Sequence, residues 1–114
     1  MSPGNAGQQL NVRDAAPLFA ALGDRTRLQL VARLAVGGPG SITRLSAKSR
    51  VSRQAISKHL EVLQEAGLVR STWRGRERVW DLAPKRLSDA HEYLDRISQQ
   101  WDQALDRLKR FVED

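Results

Sequence analysis

Residues 41–68 read SITRLSAKSRVSRQAISKHLEVLQEAGL, and this stretch decides the fold. The pattern predicts a short helix, a tight turn and a second helix that starts at Ser52 and stops near Gly67. The Ser52 hydroxyl can cap the second helix by accepting a hydrogen bond from a backbone N–H of its first turn, and a glycine suits the left-handed residue that ends a helix. Two helices joined by so short a turn indicate a helix-turn-helix.

The second helix, residues 52–66, has two chemically different faces. With about 100° of rotation per residue, Ile56, Leu60 and Leu63 gather on the side expected to face the core. The opposite side begins with hydrogen-bond donors, and its acids come later; these residues are, in order, Arg53, Gln54, Ser57, Lys58, Glu61 and Glu65. Because the first turns of a recognition helix enter the major groove of DNA, this order puts donors near bases and acids away from phosphates.

Length and composition limit the remaining possibilities. A chain of 114 residues with 40% hydrophobic residues has room for one domain with a modest core. Its lack of cysteine excludes disulfides and thiolate metal sites. We find no run of about 18 apolar residues and no signal-peptide layout, so we expect a cytoplasmic protein without a membrane partner.

The positive charge is concentrated on one part of the chain. Between Ser41 and Trp80 there are nine basic residues and three acidic ones. The difference, +6, equals the net charge of the whole sequence. The remainder carries ten bases and ten acids. This distribution is expected of a surface that binds a polyanion, although a solvated basic face with no partner would carry the same charge.

The N-terminal third predicts a tail and two helices. Residues 1–12 are polar and small and are expected to be disordered, so the domain proper would span 13–114. Asp14 is the predicted cap of a helix that Gly23 ends, and Asp24 that of a well-buried second helix. The apolar residues of the second helix are Leu28, Val31, Ala32 and Ala35, with Leu30 and Leu34 beside them. The following GGPG is expected to be a flexible loop before a cap at Ser41.

After Gly67 the pattern changes to an alternation of period two, in LVRSTW, then RGRE, then RVWDL. Two short strands joined by a turn that contains Gly75 predict a β-hairpin. The arginines along residues 70–80 suit contact with phosphates or with a narrow minor groove, because a guanidinium is always charged. Trp73 and Trp80 are expected to pack as an aromatic pair across the hairpin rather than to stack on bases.

From Leu87 a single long helix is predicted, spanning about residues 84–112. Its apolar residues recur at alternating spacings of three and four; they are Leu87, Ala90, Leu94, Ile97, Trp101, Ala104, Leu108 and Phe111. This heptad seam, widened by Leu105 and Val112, could pack on the first helix of its own domain. The seam from Leu87 covers about 25 residues and would span about 37 Å, which exceeds what so small a domain needs to cover, so we interpret this helix as a dimerisation helix.

These features together resemble the ArsR-type winged-helix transcriptional regulators. The resemblance is carried by LFAALGDRTRLQLVARL at 18–34, SRQAISKHLEVLQEAGLV at 52–69 and RSTWRGRERVWDL at 70–82, and it covers roughly residue 14 to the end. Arg25 stands where the family most often has proline. The resemblance implies a mainly α-helical fold with a small β-hairpin, a winged helix-turn-helix that dimerises through its N- and C-terminal helices.

The resemblance also implies a function and a set of site residues. As a homodimer, the protein would place two recognition helices in successive major grooves of an inverted repeat in double-stranded DNA and, like many members, repress transcription. The expected DNA-binding residues are Arg53, Gln54, Ser57, Lys58, Arg44, Arg74, Arg76 and Arg78. The expected dimer-interface residues are Leu18, Phe19, Leu94, Ile97, Trp101, Leu105 and Leu108.

Regulation by a ligand is a separate question. Family metal sites use cysteines on the first helix of the DNA-binding pair, and ITRLSAK has none. A second family site on the last helix begins with Asp-x-His, which Asp89 and His91 match, but its other half here reads Asp102 and Leu105. Because too few ligands remain for a closed tetrahedral site, we expect no metal and no cofactor. The existence and identity of a small-molecule inducer stay open.

Two other classes of function were weighed. A winged-helix module could dock its basic hairpin on an acidic protein, but Gln54, Ser57 and Lys58 suit base edges better than a flat protein surface. An enzyme is not expected, because the two histidines, His59 and His91, lie on different helices without an evident nucleophile nearby. His59 leans toward the core side of its helix, where it is expected to bond backbone or to pack.

Overall fold

A computed structural model describes residues 10–113 as five helices and three short strands. The elements are helix α1 (Val12–Leu22), helix α2 (Arg25–Gly37), strand β1 (Gly40–Ser41), helix α3 (Ile42–Ser46), helix α4 (Arg53–Glu65), strand β2 (Val69–Arg74), strand β3 (Glu77–Leu82) and helix α5 (Pro84–Glu113). The predicted class, a mainly α-helical winged helix-turn-helix, is confirmed. Helix α4 is the predicted second helix of the pair, and the β2–β3 hairpin is the wing.

The core-facing side of α4 lies where the periodicity predicted it. Ile56, Leu60 and Leu63 are each at most 1% exposed, and they pack with buried side chains of α1, α2 and the hairpin. Burying apolar side chains of this size contributes roughly 1.5–3 kcal/mol each before the entropy cost of ordering them. The helix-turn-helix is therefore held in place by its own inner face.

The predicted caps of α4 are both confirmed. The Ser52 hydroxyl accepts a hydrogen bond from the backbone N–H of Ala55 at 3.1 Å. At the other end, Gly67 has a φ of +80°, and the N–H of Leu68 reaches back to the carbonyl of Leu63 at 2.9 Å. This arrangement satisfies the last carbonyls of the helix and requires the left-handed backbone that glycine adopts without strain.

The N-terminal boundary lies earlier than the sequence suggested. Residues 1–9, most of the predicted disordered tail of 1–12, lie outside the described residues. Leu10 is buried in the core, and the side chain of Asn11 caps α1 by accepting from the N–H of Asp14 at 2.8 Å. The prediction of Asp14 as the cap was therefore wrong by one turn, and the ordered domain includes Leu10, Asn11 and Val12.

Helix α2 is less buried than its broad apolar stripe suggested. Leu30 and Leu34 are at most 2% exposed, but Leu28 is 52% exposed and Ala32 and Ala35 are also exposed. The helix thus presents one narrow stripe to the core. Its predicted cap is confirmed, because the Asp24 carboxylate accepts from the N–H of Arg27 at 3.0 Å.

The GGPG segment is more ordered than the loop that was predicted. Gly37 is the last residue of α2, Gly38 follows it with a φ of +74°, and Gly40 begins strand β1. Strand β1 pairs antiparallel with β3, with Gly40 opposite Trp80, so the sheet has the order β1-β3-β2. This strand could not be predicted from the sequence, because two residues are too few to show a period.

The expected aromatic pair across the hairpin does not form. In the register of β2 and β3, Trp80 lies opposite Ser71, and Trp73 lies opposite Arg78. Trp80 is 1% exposed and fills the core beneath the sheet, whereas Trp73 is 69% exposed. The packing role was correct for Trp80 and wrong for Trp73.

Helix α5 contacts its own domain only along its first half. The rings of Phe19 and Tyr93 lie 5.7 Å apart, Ala90 is buried, and the Arg96 guanidinium donates to the carbonyl of Leu10 at 2.7 Å. Every residue from 98 to 113 is exposed. The long helix therefore extends well past the body on which it packs.

Candidate nucleic-acid interface

The outward face of α4 begins with an array of hydrogen-bonding side chains. Arg53, Gln54 and Lys58 are exposed on the first two turns, and Ser57 is half-buried beside them. Glu61 and Glu65 are exposed farther along the same helix. The inner face anchors the helix rigidly, so these donors have a defined position from which to meet base edges or phosphates.

Arg53 also connects the two helices of the helix-turn-helix. Its Nη2 donates to the Thr43 hydroxyl of α3 at 3.0 Å. A guanidinium has five N–H donors, so this single bond orients the side chain and leaves donors for an anionic partner. The sequence placed Arg53 on the correct face but gave no sign of its contact with Thr43.

Arg44, which was predicted to contact DNA, has a structural role. Its Nη1 donates to the carbonyl of Pro39 at 2.6 Å, and its Nη2 donates to the carbonyl of Gly37 at 2.7 Å. Both ends of the guanidinium fork are thereby used to hold the turn between α2 and β1. The geometry thus gives this side chain a role in the stability of the loop, and we propose that it makes no DNA contact.

The four arginines of the hairpin differ in their exposure and in their contacts with other side chains. Arg74 and Arg76 are exposed at the tip, where the turn contains Gly75 with a φ of +64°. Arg78, also predicted to contact DNA, is half-buried, with its guanidinium carbon 4.3 Å from the Trp80 ring centroid. Arg70 lies opposite Asp81 in the register. Arg74 and Arg76 are therefore the wing residues best placed to meet phosphates.

A hydrogen-bonded chain joins the wing to the recognition helix. The Ser71 hydroxyl donates to Oε1 of Gln64 at 3.1 Å and accepts from Nε of Arg78 at 3.0 Å. Sequence analysis assigned no role to Gln64 or Ser71. The signal that could have found them is the strand register, because Ser71 falls on the face of β2 that carries Val69.

His59 connects α4 to the turn between α1 and α2. Nη1 of Arg27 lies 3.2 Å from its Nδ1, and a carboxylate oxygen of Asp24 lies 3.9 Å from the same atom. The backbone N–H of Arg27 lowers the pKa of the Asp24 carboxyl, and His59 and the Arg27 side chain lower it further. His59 is thus structural, but its partner is a side chain rather than the expected backbone.

The residues considered for a metal site are dispersed. Asp89 lies 3.5 Å from Arg86, and His91 lies 3.6 Å from Asp95 on the next turn of the same helix. Over residues 10–113, no three His, Cys, Asp or Glu side chains come close enough together to hold a metal ion. Asp102 lies farther along α5, on the part that extends from the domain.

The predicted dimer-interface residues separate into two groups. Leu94, Trp101, Leu105 and Leu108 are 52–66% exposed on α5. Ile97 of α5 is half-buried, as is Phe19 of α1, whose ring lies beside Tyr93. Leu18, in contrast, is 2% exposed inside the core. Because no surface of Leu18 is left for a partner, its assignment to an interface is corrected to a core role.

The fold and this basic surface are those of a winged helix-turn-helix DNA-binding protein. Comparison with known proteins identifies the family. The family model of the helix-turn-helix domain matches residues 22–72. The regulator Rv2034 of Mycobacterium tuberculosis, an HTH-type transcriptional regulator, is 39% identical over 95 residues, which span 83% of this chain and 85% of that protein. An ArsR-like transcriptional regulator from Rhodococcus sp. RHA1 is 37% identical, with a TM-score of 0.71 over 87% of this chain and 92% of that one.

The chain therefore belongs to the ArsR-type winged helix-turn-helix transcriptional regulators and is a DNA-binding transcriptional regulator. A homodimeric winged helix-turn-helix DNA-binding domain from Mycobacterium bovis has the same fold, at 19% identity and a TM-score of 0.63 over 78% of this chain and 82% of that one. Membership of this family favours DNA binding over the alternative of a protein-docking module. Within residues 10–113, no helix combines the length and the hydrophobicity needed to cross a bilayer.

Proposed function

We propose that the protein is a homodimeric, sequence-specific transcriptional repressor of an inverted-repeat operator, acting in the cytoplasm. The observation that carries the proposal is the construction of α4. Its inner face is fully buried, while Arg53, Gln54 and Lys58 are exposed on the turns that would enter a major groove. The wing adds Arg74 and Arg76, so the surface offers both base-reading groups and phosphate contacts.

Dimerisation is proposed from the exposed part of the α5 seam. Leu94, Trp101, Leu105 and Leu108 form an apolar stripe that the protomer leaves open, and Phe111 and Val112 extend it with 81% and 73% exposure. A heptad stripe of this kind is typical of helices that pair with another helix. A second copy would cover the stripe and hold two recognition helices about one turn of DNA apart, roughly 34 Å.

DNA binding is tested by titrating genomic fragments in a gel-shift assay at rising salt, followed by footprinting of the bound fragment. We expect a protected inverted repeat, in or near the protein's own promoter, and an affinity that falls steeply with salt because phosphate contacts release counterions. Transcription from that promoter in a purified system should decrease when the protein is added. Indifference to sequence at moderate salt would refute the proposal.

The double variant Arg53→Ala, Lys58→Ala assigns this binding to α4. We expect operator affinity to fall by about a hundredfold or more, since each good contact to a base or phosphate contributes about 1–3 kcal/mol. A charge-matched control, Arg25→Ala with Lys85→Ala, removes two exposed bases that lie on neither α4 nor the hairpin. Equal losses in the two double variants would show that net charge, rather than the recognition helix, determines binding.

A further inference from the structure

A groove runs between the start of the helix-turn-helix and the inner face of the wing. We call it the wing groove; it has a volume of about 480 Å³ and is lined by Ser41, Ile42, Thr43, Arg53, Trp73, Arg76, Glu77 and Arg78. One wall is formed by Ser41 of β1, by the first turn of α3 and by Arg53 of α4. The other wall is formed by the hairpin, with Trp73 on it.

The lining of the wing groove combines positive charge with an exposed indole. The lining includes three arginines and one acidic residue, Glu77, so its net charge favours an anion. Trp73 is 69% exposed, although it lies on the same face of the hairpin as the buried Trp80. A large apolar side chain surrounded by cations fits a partner that alternates anionic and apolar groups.

Winged-helix geometry indicates which part of a DNA duplex reaches this groove. If α4 lies in a major groove and the wing lies at the adjacent minor groove, the sugar-phosphate strand that separates the two grooves must pass between them. This step rests on the proposed function. The wing groove lies on this path, with the hairpin on one side and the start of α3 and Arg53 of α4 on the other. A strand of this kind alternates phosphates with the C–H edges of deoxyribose.

We propose that the wing groove binds one sugar-phosphate strand of the operator, with Arg53 and Arg76 on phosphates and the Trp73 ring packed against the deoxyribose between them. Arg53 is oriented for this by its bond to Thr43. Trp73 is thereby a DNA-positioning residue that sequence analysis had assigned to internal packing. Because sugars are the same in every nucleotide, its contribution is independent of base sequence.

The proposal is tested with Trp73→Ala, Trp73→Phe and Arg76→Ala on two duplexes of about 25 base pairs, the footprinted operator and a scrambled sequence. Trp73→Ala should weaken binding to both duplexes by a similar factor, about tenfold, with an unchanged salt slope, because a neutral contact releases no counterions. Trp73→Phe should recover most of the loss. Arg76→Ala should weaken binding and lower the salt slope by about one.

Thr72→Ala is the matched control, since Thr72 is exposed on the opposite face of the same strand. It should bind DNA as the wild type does, and circular dichroism should show that all variants fold. In addition, DNA should change the tryptophan fluorescence of the wild type, and most of this change should be absent from Trp73→Phe.

Unchanged affinity in Trp73→Ala, or a loss confined to the operator, would overturn the inference. The first result would mean that the ring does not touch DNA, and the second that it reads or unstacks bases. These outcomes differ from failure of the proposed function, in which the wild type itself would bind the two duplexes equally. In that case the scrambled duplex at low salt still tests the contact of Trp73 with the backbone.

Discussion

The recognition helix α4 and the terminal helix α5 are both amphipathic, but their apolar faces have different surroundings. In α4 the inner face is completely covered by the protomer, with Leu60 and Leu63 fully buried. In α5 the seam is only partly covered over its first half, where Ala90 is buried, Ile97 is half-buried and Leu94 is 52% exposed. Beyond Ile97, the seam residues Trp101, Leu105 and Leu108 remain exposed. Periodicity therefore identifies an apolar face without identifying the surface that covers it.

The difference follows from length and position. Helix α4 has 13 residues and lies between α2 and the hairpin, so neighbours enclose it along its whole length. Helix α5 has 30 residues, about 45 Å, and its contacts with the body, which include those to α1 and Leu10, lie within its first half. A continuous heptad seam therefore serves two purposes, intramolecular packing first and a proposed contact between protomers after it.

The largest expected effect is on the free energy of unfolding, and it is measured by substituting one leucine from each helix. Leu60→Ala should lower the free energy of unfolding by about 2–5 kcal/mol, because it leaves a cavity in a fully buried site. Leu105→Ala, at a site 56% exposed, should lower the free energy of unfolding of the protomer by less than about 1 kcal/mol. Urea unfolding at low protein concentration measures both. Similar losses would mean that the outer half of α5 is covered within the protomer.

The next effect tests what covers the outer half of α5. Trp101→Glu should yield monomers in sedimentation experiments and weaken operator binding by about a hundredfold, because two half-sites are no longer held by one dimer. The control Gln103→Glu adds the same charge at an exposed position off the seam. It should remain dimeric. Wild-type protein that sediments as a monomer would contradict the proposed interface.

The role of a residue can be predicted from the sequence when its contacts are local, and not when the fold brings distant residues to it. The inner face and caps of α4 could be predicted because they depend on contacts within a few residues, as between Ser52 and Ala55. The roles of Arg44, Leu18 and Trp73 could not, because each depends on what the fold brings near the side chain. Arg44 and Arg53 are equally basic in the sequence, yet one meets two carbonyls and the other a hydroxyl beside an open groove.

A smaller effect concerns the loop that supports the helix-turn-helix. Arg44→Ala should lower the free energy of unfolding by about 1–2 kcal/mol, since the carbonyls of Gly37 and Pro39 lose charge-assisted hydrogen bonds. Because Arg44 is assigned no phosphate contact, the salt slope of operator binding should not change. Chemical unfolding and gel-shift titrations of the same variant separate the two roles. A salt slope of operator binding lowered by about one would show that Arg44 contacts a DNA phosphate.

The smallest expected effect is on the pH dependence of the free energy of unfolding, through Asp24 in the turn that precedes α2 and contacts α4. The pKa of the Asp24 carboxyl is lowered in the fold, chiefly by the N–H of Arg27 and to a lesser extent by His59. A lowered pKa means that the ionised carboxylate stabilises the fold above the unfolded-state pKa of about 3.9, and that this contribution is lost as the pH falls through the lower folded-state pKa. Asp24→Asn keeps a capping oxygen but cannot ionise, so its stability should fall less between pH 5 and pH 2 than that of the wild type. Acid unfolding followed by circular dichroism measures this difference; parallel curves for the two proteins would show that the charge of Asp24 does not hold α4 against the turn.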